Sequence, residues 1–302
     1  MRLPTGLGSA AAAEVVSYGQ LAAESAAKLD QVGIPKSRLE AEVLVAHAAG
    51  LIRTALLARL REEAPSDIVS RVDALLARRV EREPLAYIVG RREFYGRDFV
   101  VNPHVLIPRS ETELLVSTAL DLLGDVPNPV IFDVGTGSGA IGLSILAETT
   151  DSHLVATDIS RNALRVASLN AGGVGVADRV DFVICDLLNG VARPPGSSVL
   201  LTANLPYVPA GRAPSLEPEV ARFEPAIALF SGEGGLHVIR GLISALDGFL
   251  LPGEYALLEL DENQGEEGLR MARELLPGFE SAIKQDSSGH DRMLQLLKRV
   301  GI

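Results

Sequence analysis

The feature that most constrains the fold is the alternation of short apolar runs with helical stretches from about Thr112 onward. The runs have the length and composition of buried strands, and the stretches between them repeat apolar residues at helical spacing. Such alternation predicts a parallel sheet covered by helices on both faces, with ligands bound at the carboxyl ends of the strands. The predicted strands are residues 129–134, 153–158, 180–186, 199–203, 255–260, 281–285 and 293–298.

The first predicted strand continues into a glycine-rich loop, Gly135-Thr136-Gly137-Ser138-Gly139, and a helix is expected over residues 140–148. Three glycines allow a tight turn whose backbone N–H groups face a ligand. Residues 137–142 also satisfy the G-x-G-x-x-G pattern of dinucleotide enzymes, so the loop indicates a nucleotide cofactor without identifying it. Asp133 stands where those enzymes usually have an apolar residue. It favours a cofactor with a cationic amino-acid tail. The alternatives are that it only orders the loop by accepting backbone N–H bonds, or that it does both.

Acidic residues close the next two strands. Asp158 follows the glycine loop at a distance that suits acceptance of both ribose hydroxyls of a nucleoside. The alternative is that it caps the helix beginning near Asn162. After the third strand, Asp186 could bind the exocyclic amino group of adenine, and Leu187 could cover the ring. For this second pair a solvated strand end is an equally open interpretation.

The tetrapeptide Asn204-Leu205-Pro206-Tyr207 follows the fourth strand. The asparagine oxygen and the next backbone carbonyl can accept the two hydrogens of one planar NH2 group. Pro206 favours an extended Leu205, which fixes where that carbonyl points, and Tyr207 can stack on a flat group. An Asn-x-Pro turn without a ligand is the alternative, and the cofactor loop upstream argues against it.

The composition narrows the class of protein. A formal net charge of −11 argues against a general nucleic-acid-binding surface, which needs clustered Lys and Arg. The single cysteine, Cys185, suits a reducing cytosol, and we interpret it as a buried strand residue. The Ala-rich segment 9–16 lacks the features of a signal peptide, and no run approaches the about 20 apolar residues that span a bilayer. A cytoplasmic protein without a metal ion is expected.

The residues before the alternating region predict a separate helical domain. Four stretches, 19–31, 36–49, 54–63 and 66–83, carry apolar residues at helical spacing, with Ser37 and Ser66 as candidate N-caps. This domain is too short to hold a cofactor cleft, so we interpret it as a recognition or docking module. Residues 85–101 then alternate like a β-hairpin. The predicted boundaries are 1–83 for the helical domain, 84–104 for a hairpin linker and 105–302 for the α/β domain.

Further motifs extend the pattern over nearly the whole chain. They are residues 38–42 (Arg-Leu-Glu-Ala-Glu), 83–90, 93–96, 106–113 (Leu-Ile-Pro-Arg-Ser-Glu-Thr-Glu), 219–220, 223–225, 232–236, Leu258-Glu259 and Gln264. With the glycine loop and the tetrapeptide, they resemble the PrmC/HemK family. Its members are S-adenosylmethionine-dependent methyltransferases that modify the glutamine of the Gly-Gly-Gln motif in peptide-chain release factors. The resemblance implies an α/β fold, in which a seven-stranded, Rossmann-like methyltransferase domain follows a helical bundle and a β-hairpin linker.

The resemblance also implies a set of site residues and partners. S-adenosylmethionine is expected to contact Gly135, Thr136, Gly137, Ser138, Gly139, Asp158, Asp186, Leu187 and Asn204. Substrate binding falls to Asn204, Leu205, Pro206 and Tyr207, and catalysis to Asn204, Pro206 and Tyr207. Release factors are the implied partners, with neither a membrane nor a nucleic acid. Leu205 departs from the family's usual Asn-Pro-Pro-Tyr, and Asp261 replaces a usual glycine.

Two alternative functions stay open at this point. A ribosomal-RNA adenine N6-methyltransferase would also hold a planar NH2 group, and Asn-Leu-Pro-Tyr is the form common in ribosomal-RNA adenine dimethylases. The acidic charge and the preceding helical domain argue against it. A binding protein that kept the fold and lost the activity is the other alternative. The intact glycine loop, Asp158 and Asn204 argue against that.

Overall fold

The described residues form two compact units. The computed structural model describes residues 16–124 and 126–301, and the boundary between the units falls between Val89 and Gly90. The Ala-rich run that precedes Val16 lies outside the described residues. Within the described part of the chain, no helix is both long and apolar enough to cross a membrane.

The N-terminal unit is built from helices, as the sequence predicts. These are α1 (Tyr18–Gln31), α2 (Ser37–Ala48), α3 (Arg53–Ala58), α4 (Ser66–Val80) and α5 (Leu85–Val89). Ser17 and Gln20 form a capping box at the start of α1. The predicted N-caps are wrong: Ser37 and Ser66 are already the first helical residues, and Lys36 and Pro65 precede them.

Ion pairs to a buried carboxylate explain the Arg-Leu-Glu-Ala-Glu motif of this unit. The Glu42 side chain is buried and accepts hydrogen bonds from Arg38 at 2.6 Å and Arg53 at 2.9 Å. Burial alone would raise the pKa of Glu42, but the two arginines hold it below its usual value. Glu40 likewise binds Arg79 across 39 residues of sequence, and Arg79 is buried. The motif therefore stabilises the helical unit from within.

The segment between residues 84 and 104 is only partly the predicted hairpin. Residues 85–89 form helix α5, whereas the hairpin consists of β1 (Arg91–Phe94) and β2 (Arg97–Val100). Tyr95 and Gly96 both have positive φ, which is the geometry of a two-residue hairpin turn. The expectation that the hairpin begins at residue 85 was wrong, because a short apolar run fits a strand and a buried helix equally well.

The C-terminal unit alternates strands and helices. Its elements are α6 (Glu113–Leu123), β3 (Val130–Val134), α7 (Ala140–Glu148), β4 (His153–Asp158), α8 (Arg161–Val174), β5 (Val180–Ile184), β6 (Val199–Ala203), α9 (Pro218–Phe223), α10 (Ala226–Leu229), α11 (His237–Phe249), β7 (Tyr255–Glu259), α12 (Gly265–Leu275), β8 (Phe279–Gln285) and β9 (Asp291–Lys298). Strands β3 to β9 form one seven-stranded sheet in the order β5-β4-β3-β6-β7-β9-β8. The predicted fold class is confirmed.

The sheet is mixed, which corrects the expectation of a purely parallel one. Strand β9 runs antiparallel to both of its neighbours, β7 and β8. Only residues 286–290 separate β8 from β9. A connection of that length makes a hairpin, because a parallel crossover needs a dozen or more residues.

Helices cover both faces of the sheet and enclose two apolar cores. Along β3, Phe132 and Val134 point into one core, and Ile131 points into the other. Both cores of this unit draw their buried members from residues 94–296. The order of strands reverses between β3 and β6. Connections therefore leave the sheet in opposite directions there, and a crevice opens at the carboxyl ends of these strands.

Candidate active site

A pocket lies at this reversal point and gathers loops that follow four neighbouring strands. It is lined by Gly135 to Ser138 after β3, Asp158 to Ser160 after β4, Cys185 to Leu187 after β5, and Asn204 to Pro206 after β6. Residues 104–106, Pro108, Arg109 and Thr112 line it from the segment before α6, and Ile227 and Ala228 from α10. Of the site residues predicted from the sequence, ten line this pocket, and Gly139 and Tyr207 do not.

The glycine loop is shaped by close approaches as well as by positive φ. Gly135 has φ +71°, and a Cβ placed there would lie 2.7 Å from the Leu205 side chain. Gly139, with φ +83°, precedes the first residue of α7, and its Cβ would lie 2.6 Å from Leu143 and 3.3 Å from Ala167. Gly139 thus lets α7 and α8 pack closely, a structural role that explains why it does not face the pocket.

Asp133 is buried beneath the loop and does not line the pocket. It accepts hydrogen bonds from the Thr136 hydroxyl at 2.6 Å, the Thr202 hydroxyl at 2.9 Å and the Gly142 N–H at 3.2 Å. Burial raises the pKa of its carboxyl, although all three donors act in the opposite direction. These bonds tie the loop to α7 and to β6. Of the two interpretations of Asp133, the structure supports the one in which it orders the loop.

Asp158 joins the loops that follow β3 and β4. Its carboxylate accepts the Gly137 N–H at 2.9 Å through one oxygen and the Ser160 N–H at 2.8 Å through the other. Burial raises the pKa of Asp158, and these two N–H groups act to lower it. The helix-capping alternative is wrong, because Ser160 is the N-cap of α8 and accepts from the Ala163 N–H. A carboxylate can accept about four hydrogen bonds, so Asp158 keeps acceptor positions for a ligand.

The loop after β5 brings Asp186 and Leu187 to the same pocket. Leu187 has φ +53°, a strained conformation for a residue with a branched side chain. Its carbonyl accepts hydrogen bonds from the Thr157 hydroxyl at 3.2 Å and the Cys185 thiol at 3.3 Å. Cys185 is half-buried, lies beyond the end of β5 and lines the pocket, so its interpretation as a buried strand residue was wrong. Burial raises the pKa of this thiol.

The tetrapeptide begins where β6 ends. The Asn204 side chain donates from Nδ2 to the Thr112 hydroxyl at 3.3 Å, and Thr112 is itself buried. With its NH2 group on Thr112, the Asn204 amide keeps its oxygen as an acceptor for a ligand. Leu205 is buried against Gly135, which explains how a leucine is accommodated at this position.

Tyr207 is held at both ends by residues at and just after the end of β7. Its phenol donates to Glu259 Oε1 at 3.4 Å, and its backbone carbonyl accepts from Gln264 Nε2 at 2.9 Å. Burial and the neighbouring Glu259 raise the pKa of the phenol well above its usual range. In the sequence, Leu258-Glu259 and Gln264 have no role beyond their part in the family resemblance. The structure shows that Glu259 and Gln264 fix the position of Tyr207.

A second connection that the sequence analysis missed closes the pocket wall. Glu224 has a nearly fully buried side chain, and it accepts from Arg109 at 2.5 Å and from the Ile107 N–H at 3.2 Å. The 106–113 and 223–225 motifs are thereby joined across more than 100 residues. Both motifs are visible in the sequence, but nothing in the sequence shows that residues of one bind residues of the other.

The arrangement combines acceptors, backbone donors and apolar walls. Asp158 and the Asn204 amide oxygen lie on opposite sides of the glycine loop, at the ends of β4 and β6. The described residues contain no group of three or more His, Cys, Asp or Glu that could hold a metal ion. Such a pocket suits a ligand that has hydroxyl and amino groups, bound beside a second, planar one.

Two family models match the chain: a PrmC N-terminal domain over residues 20–90 and a methyltransferase small domain over residues 110–206. A release factor glutamine methyltransferase from Moorella thermoacetica is 38% identical over 281 residues, which cover 93% of this chain and 98% of that relative. Its counterpart from Deinococcus radiodurans is 36% identical over 282 residues, with the same two coverages. The solved hMettl16 catalytic domain in complex with MAT2A 3'UTR hairpin 6 is 14% identical, with a TM-score of 0.56 over 76% of this chain and 82% of that one, and shares the fold alone.

The two relatives match this chain over nearly their full lengths, through both the helical and the sheet-containing region. The two family models fall on the same two regions. The family resemblance identified in the sequence is confirmed. The chain belongs to the release factor glutamine methyltransferase family.

Proposed function

We propose that this protein transfers a methyl group from S-adenosylmethionine to the side-chain amide nitrogen of the glutamine in the Gly-Gly-Gln motif of peptide-chain release factors. Family membership supports the substrate class. The observation that carries the chemistry is the position of Asn204, at the end of β6 beside the glycine loop that follows β3. The same pocket therefore contains the loop proposed to bind the cofactor and a side chain that can accept a hydrogen bond from an NH2 group.

The residues of the pocket fit the cofactor. Asp158 has acceptor positions left for ribose hydroxyls, and Gly135 to Ser138 line the same pocket. Asp186 and Leu187 would take the adenine ring at the end of β5. When bound, S-adenosylmethionine supplies a methyl group already activated by the positive charge on its sulfur.

The protein's own part in the reaction is to position and polarise the amide. An amide nitrogen is a poor nucleophile, because its lone pair is delocalised into the carbonyl. The Asn204 oxygen and the Leu205 carbonyl would accept its two hydrogens, which stabilises positive charge on nitrogen as the methyl group arrives. The nitrogen forms a bond to the methyl carbon as the methyl–sulfur bond breaks, which leaves the sulfur as a neutral thioether, and the nitrogen loses one of its two protons to water. Pro206 keeps Leu205 extended. Tyr207 does not line the pocket, so its stacking on the planar group stays a prediction.

The test is an incubation with labelled S-adenosylmethionine and either a release factor or ribosomal RNA. Label on the Gly-Gly-Gln glutamine of the release factor, and none on the RNA, is the expected result. Label on adenine would overturn the proposal in favour of the ribosomal-RNA alternative. Binding of the cofactor with no label on either would favour the non-catalytic alternative. Because release factors act in translation, we also propose a cytoplasmic location.

A further inference from the structure

The orientation of the Asn204 amide decides whether the proposed reaction can proceed. Its oxygen and its NH2 group have nearly the same shape, but only the oxygen can accept a hydrogen from a substrate amide. In the structure the NH2 group of Asn204 is turned toward the Thr112 hydroxyl. The neighbour that fixes the direction of this hydrogen bond therefore also fixes which atom faces the substrate.

Thr112 can fix the direction of its hydrogen bond to Asn204, because a hydroxyl has a single proton to donate. When that proton is donated elsewhere, the Thr112 oxygen can only accept from Asn204, and the Asn204 oxygen stays free for the substrate. When Thr112 donates to Asn204 instead, the amide has to present its oxygen to Thr112 and its NH2 group to the pocket.

Glu259 is the carboxylate beside Thr112 that can take its proton. It ends β7, the strand beside β6, and the pairing of Ala203 with Leu258 places it next to Asn204 in the sheet. The Thr112 hydroxyl stabilises the ionised form of Glu259, as does the Tyr207 phenol. Glu259 is only 2% exposed, and its Oε2 atom has no hydrogen-bond partner of its own among the described residues.

We propose that Glu259 is a positioning residue for methyl transfer: as an acceptor for the Thr112 hydroxyl and the Tyr207 phenol, it keeps the Asn204 oxygen turned toward the substrate amide. The inference rests on the function proposed above. An ionised carboxylate can only accept hydrogen bonds, so it draws the protons of both hydroxyls toward itself. A protonated Glu259 would donate a hydrogen bond to Thr112. The hydrogen bonds that link Asn204, Thr112 and Glu259 would then run in the opposite direction.

The direction of the hydrogen bonds that link Asn204, Thr112 and Glu259 should therefore depend on pH. Burial raises the pKa of Glu259 to about 7, and it outweighs the opposing effects of Thr112, Arg292 and Tyr207. Glu111 adds to the rise, and Arg109 and Asp261 are the other charged groups that act on Tyr207. The folded protein binds this proton more tightly than an unfolded glutamate of pKa 4.5. Glu259 accordingly favours folding below about pH 4.5, and that contribution is lost as the pH rises through about 7.

The experiment compares the full-length protein with Glu259→Gln, Thr112→Val and Thr112→Ser, using a release factor as substrate between pH 5.5 and 8.5. In the wild type, kcat should rise with pH through the ionisation of Glu259. Glu259→Gln and Thr112→Val should each lose about tenfold in kcat near pH 8 and lose this rise. Affinity for S-adenosylmethionine should change little. Thr112→Ser, which keeps the hydroxyl, should recover most of the rate and the pH dependence.

Two measurements separate this role from a loss of stability. Glu254→Gln is the matched control. Glu254 is also a buried carboxylate, but it precedes β7, at the end of the strand opposite to Glu259, and it binds Arg193. It should lower stability and leave the pH profile of kcat unchanged. Independently of activity, the folding equilibrium of wild type relative to Glu259→Gln should shift by roughly a hundredfold or more between pH 4.5 and 8, which reports the pKa of Glu259 directly.

The outcomes are distinct. An inactive wild type overturns the proposed function and this inference with it. An active wild type overturns this inference alone if Glu259→Gln keeps its kcat, if its pH profile is unchanged, or if Glu254→Gln alters that profile in the same way. The double variant Thr112→Val, Glu259→Gln should be no slower than either single variant, because both break the same chain. Additive losses would overturn the coupling. If Glu259→Gln fails to fold, Thr112→Val supplies the same test.

Discussion

Asp158 uses about half of its capacity as a hydrogen-bond acceptor within the protein. The two N–H groups that it binds, from Gly137 and Ser160, belong to the two loops on either side of the proposed ribose position. The carboxylate therefore has two roles, since it sets the spacing of these loops and offers its remaining lone pairs to a ligand.

We expect Asp158→Ala to weaken the binding of S-adenosylmethionine by about 2–4 kcal/mol, the contribution of two hydrogen bonds to a charged group. The fold should persist, because Asp158 lies at a strand end outside the two apolar cores. Calorimetric titration gives the affinity. Asp181→Ala, which removes an exposed carboxylate from β5, is the matched control. Equal affinities of the two variants would remove Asp158 from the site.

Asn204 should affect the rate more than the binding of the cofactor. Its oxygen stabilises charge that appears on the substrate nitrogen only while the methyl group is transferred, so its contribution belongs to the transition state. We expect Asn204→Ala to reduce kcat by roughly a hundredfold or more, as for the loss of a single oxyanion-hole donor. Single-turnover kinetics with bound cofactor measure this step. Near-normal turnover would exclude the proposed grip on the amide.

At the scale of elements, the junction between β3 and α7 depends on close packing at Gly139. Gly139 before α7 and Gly175 at the end of α8 have the same φ of +83°. A Cβ at Gly175 would meet nothing within 4 Å, whereas one at Gly139 would collide with Leu143. Alanine substitutions at these two glycines therefore distinguish the cost of the backbone conformation from the cost of steric overlap.

Gly175→Ala should lower the free energy of unfolding by about 1–2 kcal/mol, the cost of a left-handed conformation for a residue with a Cβ. Gly139→Ala should cost roughly 1–3 kcal/mol more, because the buried Leu143 side chain has to move away from the added atom. Urea denaturation of both variants provides the comparison. If the two variants lose the same stability, the packing at Gly139 adds nothing to the strain of its backbone.

Periodic patterns explain why most elements could be predicted from the sequence. The helix expected at 140–148 and the strands expected at 153–158 and 199–203 have the predicted bounds. The errors fall where one local pattern fits two structures, as in the apolar run that forms α5. The antiparallel direction of β9 is a further error, since it depends on the short connection from β8.

The site was only partly predictable for a related reason. Glycines, Asp158 and the tetrapeptide each follow a strand, so the topology of the sheet brings them together. No such rule predicts the contact between Tyr207 and Glu259, which are 52 positions apart. The same holds for the ion pair between Arg109 and Glu224, which are 115 positions apart. Loop conformation and burial create these contacts, and neither is visible in local sequence.

At the scale of the whole molecule, we propose that the helical unit recognises the substrate and that the C-terminal unit carries out the chemistry. The apolar clusters of the N-terminal unit draw their members from residues 16–88, and those of the C-terminal unit from residues 94–296. Each unit therefore has a core of its own. The pocket is lined only by residues of the C-terminal unit, so that unit alone contains the groups proposed to hold the cofactor.

Removal of residues 1–89 tests whether the helical unit docks the protein substrate. The remaining unit should bind S-adenosylmethionine with nearly unchanged affinity, because it keeps the whole pocket. Methylation of an intact release factor should fall by about a hundredfold or more, since remote contacts are what hold one side chain in line for attack. A short free peptide containing Gly-Gly-Gln should be a poor substrate for both forms and lose little on truncation. Equal rates of both forms on the intact factor would show that the helical unit has no part in recognition.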